Sequence, residues 1–309
     1  MSTALAAPRI VLPDKTPRVG LALGGGGARG IGHILMLEAL EELGVRPCVI
    51  AGTSIGAVFG AAYASGLSAS QIRAQAEEVL SQRFDLVRQL FAARNEPFGK
   101  LFNLFRLKSA LLNGEALLDL VLPSRVAANF EDLEIPLRLL TTDFHAQESV
   151  VMTRGALRPA IAASMALPVL LAPVQIEGRT LIDGGLVNPL PFDELGPDVD
   201  ITVAIDVSGV ARVPEEGQVP TALGSLVATT QILQRSLVRE KMRSRQPDVY
   251  VNISVDRFNA LDFHKFAEIL KAAEPAKKEL IEKLRRVLAS ETVEVQQDEG
   301  LEVGGGDAR

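Results

Sequence analysis

Residues 19–30 read Val-Gly-Leu-Ala-Leu-Gly-Gly-Gly-Gly-Ala-Arg-Gly, and residues 48–57 read Cys-Val-Ile-Ala-Gly-Thr-Ser-Ile-Gly-Ala. Each stretch is a short apolar run that passes through glycine into a segment with helical spacing of apolar residues. The first helix is expected over residues 33–43, with Gly44 at its C′ position, and the second over residues 57–64. Strand, turn and helix, twice in succession, predict an α/β fold with a mainly parallel sheet.

The rest of the chain continues this alternation of strands and helices. Residues 67–125 are expected to be mostly helical, and further strands are expected at 137–142, 180–182, 201–207 and 249–253. Long helices are expected over residues 223–243, with a basic face, and 263–288. With no repeat and no linker, the pattern predicts a single domain over residues 18–290, an N-terminal extension over 1–17 and a disordered acidic tail over 291–309.

Composition limits the partners of the chain. A formal net charge of −6 argues against a nucleic-acid partner, which requires a basic field. The 47% hydrophobic content fits either a sheet buried on both faces or a surface that touches lipid. Residues 1–18 do not resemble a signal peptide, and no apolar run reaches the length of a membrane-spanning helix, so a cytoplasmic protein, with or without peripheral membrane contact, is expected.

The first candidate site is the glycine-rich turn at residues 24–30. Glycines let several backbone N–H groups point at one spot, and the following helix adds the positive end of its dipole. Such a loop can bind a phosphate or the oxyanion of an ester under attack. A dinucleotide-binding turn also requires an acidic residue at the end of the next strand, and that strand ends instead in Gly52-Thr53-Ser54.

The second candidate is Ser54, within Gly52-Thr53-Ser54-Ile55-Gly56. This segment matches the G-x-S-x-G nucleophile elbow, with a strand expected before it and a helix after it. Gly52 and Gly56 leave room for the sharp turn that exposes the Ser54 hydroxyl at a helix N-terminus. The alternative is a serine that only caps the helix.

The third candidate is Asp183, followed by Gly184 and Gly185 after a short apolar run. Alone, this pattern is typical of an ordinary Asp-Gly turn. A serine nucleophile needs a base within hydrogen-bond reach, and neither His33 nor the other two histidines is well placed in the sequence to supply it. The shortage of histidine favours a Ser54–Asp183 dyad over a triad.

These motifs, in this order, resemble the patatin-like phospholipase family. The segments that carry the resemblance are residues 25–30 followed by His33, residues 52–57, Ala163-Ser164, Pro168, residues 183–185 and Asn188-Pro189. The resemblance extends over about residues 18–210 and, more loosely, over the later helices. It implies a three-layer α/β/α fold.

The resemblance also implies a function, that of a metal-independent lipid acyl hydrolase acting on a lipid or phospholipid. It implies that Ser54 is the nucleophile and Asp183 its base. The backbone N–H groups of Gly25, Gly26, Gly27 and Ala28 are implied to form the oxyanion hole. Arg29, similar to a basic residue of the family's loop, either steadies the loop or favours a substrate phosphate.

Two further segments leave alternatives open. Residues 100–112 have amphipathic spacing and form either a lid or membrane-facing segment, or a cap helix packed on the core. The basic helix near Arg239 forms either a solvated face or a contact with anionic headgroups. For the whole chain, the alternatives to an enzyme are a catalytically idle lipid-binding module and a nucleotide-binding protein.

Overall fold

The structure is a computed structural model that describes residues 17–82, 113–168, 170–209 and 222–302. Its centre is a sheet of eight strands with the order β5-β6-β3-β2-β1-β7-β8, in which β4 also pairs with β3. The strands are β1 Val19–Leu23, β2 Val49–Thr53, β3 Leu137–Asp143, β4 Glu148–Met152, β5 Val174–Ile176, β6 Arg179–Asp183, β7 Ile201–Asp206 and β8 Val249–Asn252. Strands β3, β2, β1, β7 and β8 run parallel, and β4, β5 and β6 are joined through antiparallel pairs, which confirms the mainly parallel sheet.

Helices cover both faces of this sheet. They are α1 His33–Glu42, α2 Ile55–Ala64, α3 Ala69–Gln82, α4 Gly114–Val121, α5 Leu157–Ser164, α6 Ala222–Ser244 and α7 Phe266–Glu302. One face packs against α1, α2 and α7 in the main core, and the other packs against α6 and the apolar segment around Phe192. The expected three-layer α/β/α architecture is therefore confirmed.

The first two strand–helix units form where the sequence predicts them. All five residues of β1 and of β2 are buried, because these central strands have helices or loops on both sides. Gly44 adopts a left-handed conformation with φ 67° after α1, as expected for a C′ glycine. The strands expected near residues 137, 180, 201 and 249 are also present.

Three short elements are missing from the sequence-based prediction: β4, β5 and α5. Strand β4 is an edge strand whose residues are exposed or half-buried, and its apolar run, residues 150–152, is shorter than the runs that mark the central strands. Helix α5 has only eight residues, too few for a clear helical period. Its packing against the sheet, which buries Ala160, Ile161 and Ala162, stabilises it instead.

The end of the chain differs from the expected disordered tail. Helix α7 continues to Glu302, so residues 291–302 are helical, and residues 303–309 lie outside the described residues. Extending an established helix costs little free energy, since each added residue gains one hydrogen bond. The domain bounds of 18–290 stay a prediction.

No helix among the described residues has the length and apolarity needed to cross a membrane. The segment 100–112, expected as a lid or cap, lies outside the described residues.

Helix α6 is anchored by one half-buried cation to the segment that follows β6. The Lys241 ammonium donates to Asn188 Oδ1 and, at 2.7 Å, to Asp193 Oδ1. Burial lowers the pKa of Lys241, while the Asp193 carboxylate favours its charged form. Lys241 also lies over the Phe192 ring, 5.4 Å from its centroid. This cluster joins α6 to the segment that follows Asp183.

We expect Lys241→Met to lower the free energy of unfolding by about 2 kcal/mol, because Asp193 and Asn188 lose their partner in a half-buried place. Arg243→Met is the matched control on the same helix. It removes an ion pair with Glu240 whose two side chains are 70% and 73% exposed, so stability should stay nearly unchanged. Urea denaturation of both variants measures the difference, and equal losses would contradict the anchoring role.

Candidate active site

The sheet register brings the candidate residues together. Strands β1 and β2 are parallel neighbours, so the glycine-rich turn and Ser54 emerge at the same edge of the sheet. Strand β3 pairs Leu140 with Thr53 and its next residue, Thr141, with Asp183. Asp183 therefore lies at the level of Ser54, one residue beyond the end of β2.

Ser54 occupies a sharp turn between β2 and α2. Its backbone has φ 55° and ψ −120°, a conformation that costs a non-glycine residue on the order of 1–3 kcal/mol. A Cβ at Gly56 would lie 2.1 Å from the Leu23 carbonyl oxygen, and one at Gly52 would lie 2.7 Å from the Gly56 carbonyl oxygen. Only glycine fits at either position, which explains the G-x-S-x-G pattern.

The Ser54 hydroxyl donates a hydrogen bond of 2.8 Å to Asp183 Oδ2. The other carboxylate oxygen, Oδ1, accepts the Gly185 N–H at 2.7 Å. The backbone of Asp183 is held as well, since its N–H donates to the Ala166 carbonyl and its carbonyl accepts the Thr142 hydroxyl. The carboxylate thus has a single orientation, with one oxygen facing the serine.

Burial changes the acidity of Asp183. The residue is 2% exposed, and desolvation raises the pKa of its carboxyl from 3.8 to about 6. The hydrogen bonds from Gly185 and Ser54 act in the opposite direction and are the smaller influence. No cation pairs with Asp183 in the described part of the chain. The group is a stronger base than a solvated aspartate and is still mostly ionised at neutral pH.

A second serine holds the turn in place. Ser164, the last residue of α5, accepts the Ser54 backbone N–H at 2.9 Å and donates to the Leu140 carbonyl at 2.7 Å. It is fully buried and links Ser54 to β3. In the sequence, Ser164 stands out only through the family resemblance. No local pattern around it indicates this contact, since α5 is itself absent from the predicted elements.

The glycine-rich turn lies directly against Ser54. A Cβ at Gly25 would lie 3.4 Å from the Ser54 Cβ. The four N–H groups assigned to an oxyanion hole divide into two pairs. The Gly25 N–H donates to the Pro189 carbonyl and the Ala28 N–H to the Ala260 carbonyl, whereas Gly26 and Gly27 donate to no acceptor in the described residues.

Arg29 is buried behind this turn and also contributes to the wall of the adjacent cavity. Its Nε donates to the Gly26 carbonyl at 3.2 Å, whereas its Nη2 has no hydrogen-bond partner among the described atoms. Burial lowers the pKa of its guanidinium to about 10, against the opposing influence of Asp256 and Asp206. The side chain therefore stays positive at neutral pH and touches the loop directly.

His33 has a structural role beside the glycine-rich turn. It is fully buried, and its Nε2 lies 2.9 Å from the Gly24 carbonyl oxygen, to which it donates. Desolvation lowers the pKa of His33 to about 4, so the ring is neutral and braces the start of the glycine-rich turn. Its ring also makes an edge contact with Phe59.

A cavity of about 200 Å³ opens beside Ser54 and Asp183. Its wall is mainly apolar and comes from α2, α3, α4, α6 and the segment after α5. The apolar lining includes Val58, Phe59, Ile72, Val79, Leu117, Leu122, Met165, Leu170, Leu171 and Val227. Within the described residues there is no group of three or more potential metal ligands.

Gln234 is a polar exception in this wall. It lies on α6, is 7% exposed, and is so close to the Asp-Gly-Gly turn that a Cβ at Gly185 would lie 2.5 Å from its Nε2. From the sequence, α6 is predicted only as a long helix with a basic face. Nothing in the helical pattern distinguishes Gln234 from Gln231, because both are uncharged polar residues with one apolar neighbour in the chain.

Comparison with known proteins assigns the same region to one family. The family model described as patatin-like phospholipase matches residues 21–195, which include Ser54, Asp183 and the glycine-rich turn. An uncharacterized NTE family protein of Mycobacterium tuberculosis is 34% identical over 225 residues, covering 71% of this chain and 58% of the relative.

More distant relatives include the rat patatin-like phospholipase domain-containing protein 7, which is 30% identical over 275 residues, 81% of this chain and 20% of the relative. The chain thus spans about three fifths of the mycobacterial relative and a fifth of the rat protein. Among solved structures, VipD from Legionella pneumophila has 15% identity and a TM-score of 0.45 over 87% of this chain and 67% of its own.

The raised pKa of Asp183 predicts that Asp183→Asn is more stable than the wild type by up to about 3 kcal/mol above pH 6. The folded-state pKa lies above the unfolded value, so the stability this group contributes is present below about pH 4 and lost as the pH rises through 6. Asparagine avoids the loss because it carries no charge to desolvate. Urea denaturation as a function of pH measures the difference in the free energy of unfolding between Asp183→Asn and the wild type. If this difference favours the variant less at pH 8 than at pH 4, the raised pKa of Asp183 is contradicted.

Proposed function

Because this chain belongs to the patatin-like phospholipase family, we propose that it is a serine acyl hydrolase that cleaves carboxylic esters of lipids. Ser54 is the nucleophile and Asp183 is its general base. One observation carries the proposal: the 2.8 Å hydrogen bond from the Ser54 hydroxyl to a buried carboxylate, at the wall of an apolar cavity. The proposed substrates are those of a phospholipase A or a lysophospholipase.

In the first half of the reaction, Asp183 Oδ2 takes the proton of Ser54 while Oγ bonds to the acyl carbonyl carbon. The carbonyl electron pair moves onto its oxygen. When the tetrahedral species collapses, the ester C–O bond breaks and the alcohol leaves with the proton from Asp183. In the second half, Asp183 takes a proton from water while the water oxygen bonds to the acyl carbon. The bond between this carbon and Ser54 Oγ then breaks, the fatty acid leaves, and Asp183 returns the proton to Oγ.

The acidity of Asp183 supports its role as the base. A solvated aspartate, with a pKa near 4, is a weak base at neutral pH. Burial raises the pKa of Asp183 to about 6, closer to the working pH, which increases the driving force for proton transfer while most of the population stays ionised. The bond from the Gly185 N–H keeps the carboxylate from rotating away.

The oxyanion is proposed to bind the N–H groups of Gly26 and Gly27. Of the four loop residues that the sequence suggested, these two have no acceptor within the described chain, whereas Gly25 and Ala28 already bond to carbonyl groups. A donor of this kind typically contributes on the order of 10²-fold to turnover. Arg29 supports the loop through its bond to the Gly26 carbonyl, which favours the loop-steadying role over direct contact with a substrate phosphate.

The cavity supports a lipid acyl group as the bound part of the substrate. Its apolar wall begins at Ser54 and Ile55 and extends along α2 and α3. An alkyl chain gains free energy when it leaves water for such a wall, about 0.8 kcal/mol per buried methylene group. The ester carbonyl of a chain bound there reaches the Ser54 hydroxyl.

We expect Ser54→Ala and Asp183→Asn each to lower turnover of a short p-nitrophenyl ester at least about 10³-fold, because each removes a partner of the proton transfer. Asp143→Asn is the matched control. It changes another aspartate that ends a neighbouring strand and is 7% exposed, but that caps a turn through His145 and Ala146.

The Asp143→Asn control should keep most of the activity of the wild type. A fluorophosphonate probe should label the wild type and not Ser54→Ala, with circular dichroism confirming that each variant is folded. A folded wild type that neither turns over the ester nor takes the label would instead indicate a lipid-binding module without catalysis.

The rate should also depend on pH. Since Asp183 acts in its ionised form and has a pKa of about 6, kcat/KM for the short ester should fall about tenfold per pH unit below that value. Initial rates measured between about pH 5 and pH 8 test this, with folding checked at each point. A flat profile in the folded protein would remove Asp183 from the role of base.

A further inference from the structure

Helix α6 exposes most of the large apolar side chains found on the described surface. Six such residues are exposed in that part of the chain, and four of them are on this helix: Leu226 43%, Ile232 59%, Leu233 55% and Leu237 37%. Leu226, Leu233 and Leu237 follow one another at spacings of seven and four, so they form a single stripe, here called the apolar ridge. Isolated exposed leucines need no explanation, but three aligned along one side of a helix indicate a contact surface.

The ridge borders the catalytic cavity. Thr230 occupies the stripe position between Leu226 and Leu233, and its side chain is part of the cavity wall. Val227, Gln231 and Gln234, on the inward side of the same helix, also line the cavity. Leu261 both lines the cavity and is 38% exposed. Exposed apolar surface thus borders the lining of the cavity.

Charge along α6 is separated from this surface. Residues 222–234 contain no charged side chain, although charged residues make up 23% of the chain. Basic residues follow at Arg235, Arg239 and Arg243 and, just after the helix, at Arg245. Glu240 pairs with Arg243, and Lys241 is turned inward to Asp193. A chain of net charge −6 therefore has an uncharged apolar stripe next to a basic segment.

This combination fits the surface of a lipid bilayer or micelle that contains anionic lipids. The leucines of a surface helix enter the boundary between headgroups and acyl chains, and nearby arginines remain at the level of the phosphates. A protein partner would not require the stripe to continue into a cavity that accepts acyl chains. A lipid surface does, because the substrate must pass from that surface to Ser54 without its chain crossing water.

We propose that the apolar ridge of α6 docks the protein on a lipid surface, with the cavity opening facing the lipid. The ridge includes no residue of the catalytic machinery. The inference rests on the proposed function only for what docking achieves, which is the delivery of a lipid ester to Ser54. Docking brings the ester of a lipid held in the surface to the dyad, and its chain into the apolar wall. A short soluble ester needs no such contact.

The binding test uses flotation of the full chain with vesicles of phosphatidylcholine and a minority of phosphatidylglycerol. Ser54→Ala is the background, so that no lipid is consumed. Leu233→Gln with Leu237→Gln should lower the partition coefficient about tenfold or more, because two leucines lose their burial in lipid. Glutamine is a good helix former, so α6 is retained.

The matched control is Phe144→Gln. Phe144 is 53% exposed, close to the 55% of Leu233, but lies in the turn between β3 and β4 and lines no part of the cavity. Phe144→Gln in the Ser54→Ala background should have the same partition coefficient as Ser54→Ala alone. With Ser54 restored, the double leucine variant should hydrolyse vesicle phospholipid about tenfold more slowly than the wild type and should turn over the short ester at an unchanged rate.

Unchanged flotation of the double variant would overturn the inference, as would failure of the background protein to float. A dimer that the double variant dissociates would also overturn it and assign the ridge to a second copy of the chain. The proposed function fails in a different way: a wild type that floats through the ridge but hydrolyses neither substrate. The two failures are therefore distinguishable.

Discussion

The site depends on one hydrogen bond, from the Ser54 hydroxyl to Asp183 Oδ2, between residues 129 positions apart in the chain. This bond requires that β2 and β6 both pair with β3 in one register. Thr53 faces Leu140 and Asp183 faces Thr141, so a shift of one residue would turn the carboxylate to the other face of the sheet. Three parts of the fold hold this register: the parallel centre of the sheet, the antiparallel hairpin of β5 and β6, and helix α5.

Holding the two side chains together has a cost that the surrounding structure offsets. Ser54 has a strained backbone, and Asp183 is buried without a cation. Ser164 compensates by accepting the Ser54 N–H, and Gly185 compensates by donating to the second carboxylate oxygen. Because these bonds do not fully replace water, the pKa of Asp183 rises to about 6, which is the property that a general base needs.

Helix α6 combines several tasks that its amphipathic pattern conceals. Its C-terminal half is anchored through Lys241 to Asp193, in the segment that follows Asp183. Its middle contributes Gln234 to the cavity wall beside Gly185. Its outward stripe of leucines borders the residues that line the cavity. One helix therefore connects the turn after Asp183, the apolar wall and the surface from which we propose a lipid enters.

The sequence by itself determined the α/β class, the central strands and the elbow at Ser54. These follow from local physics, because only glycine fits where a Cβ would lie 2.1 Å from a carbonyl oxygen, and buried strands need apolar runs. Asp183 was selected from the sequence by elimination and resemblance, but its contact with Ser54 depends on strand register. The role of Ser164, the burial of Gln234 and the division of the loop N–H groups were decided only by the tertiary structure. Each depends on which distant carbonyl or side chain lies within about 3 Å, a distance that pairing and packing set and that no local pattern encodes.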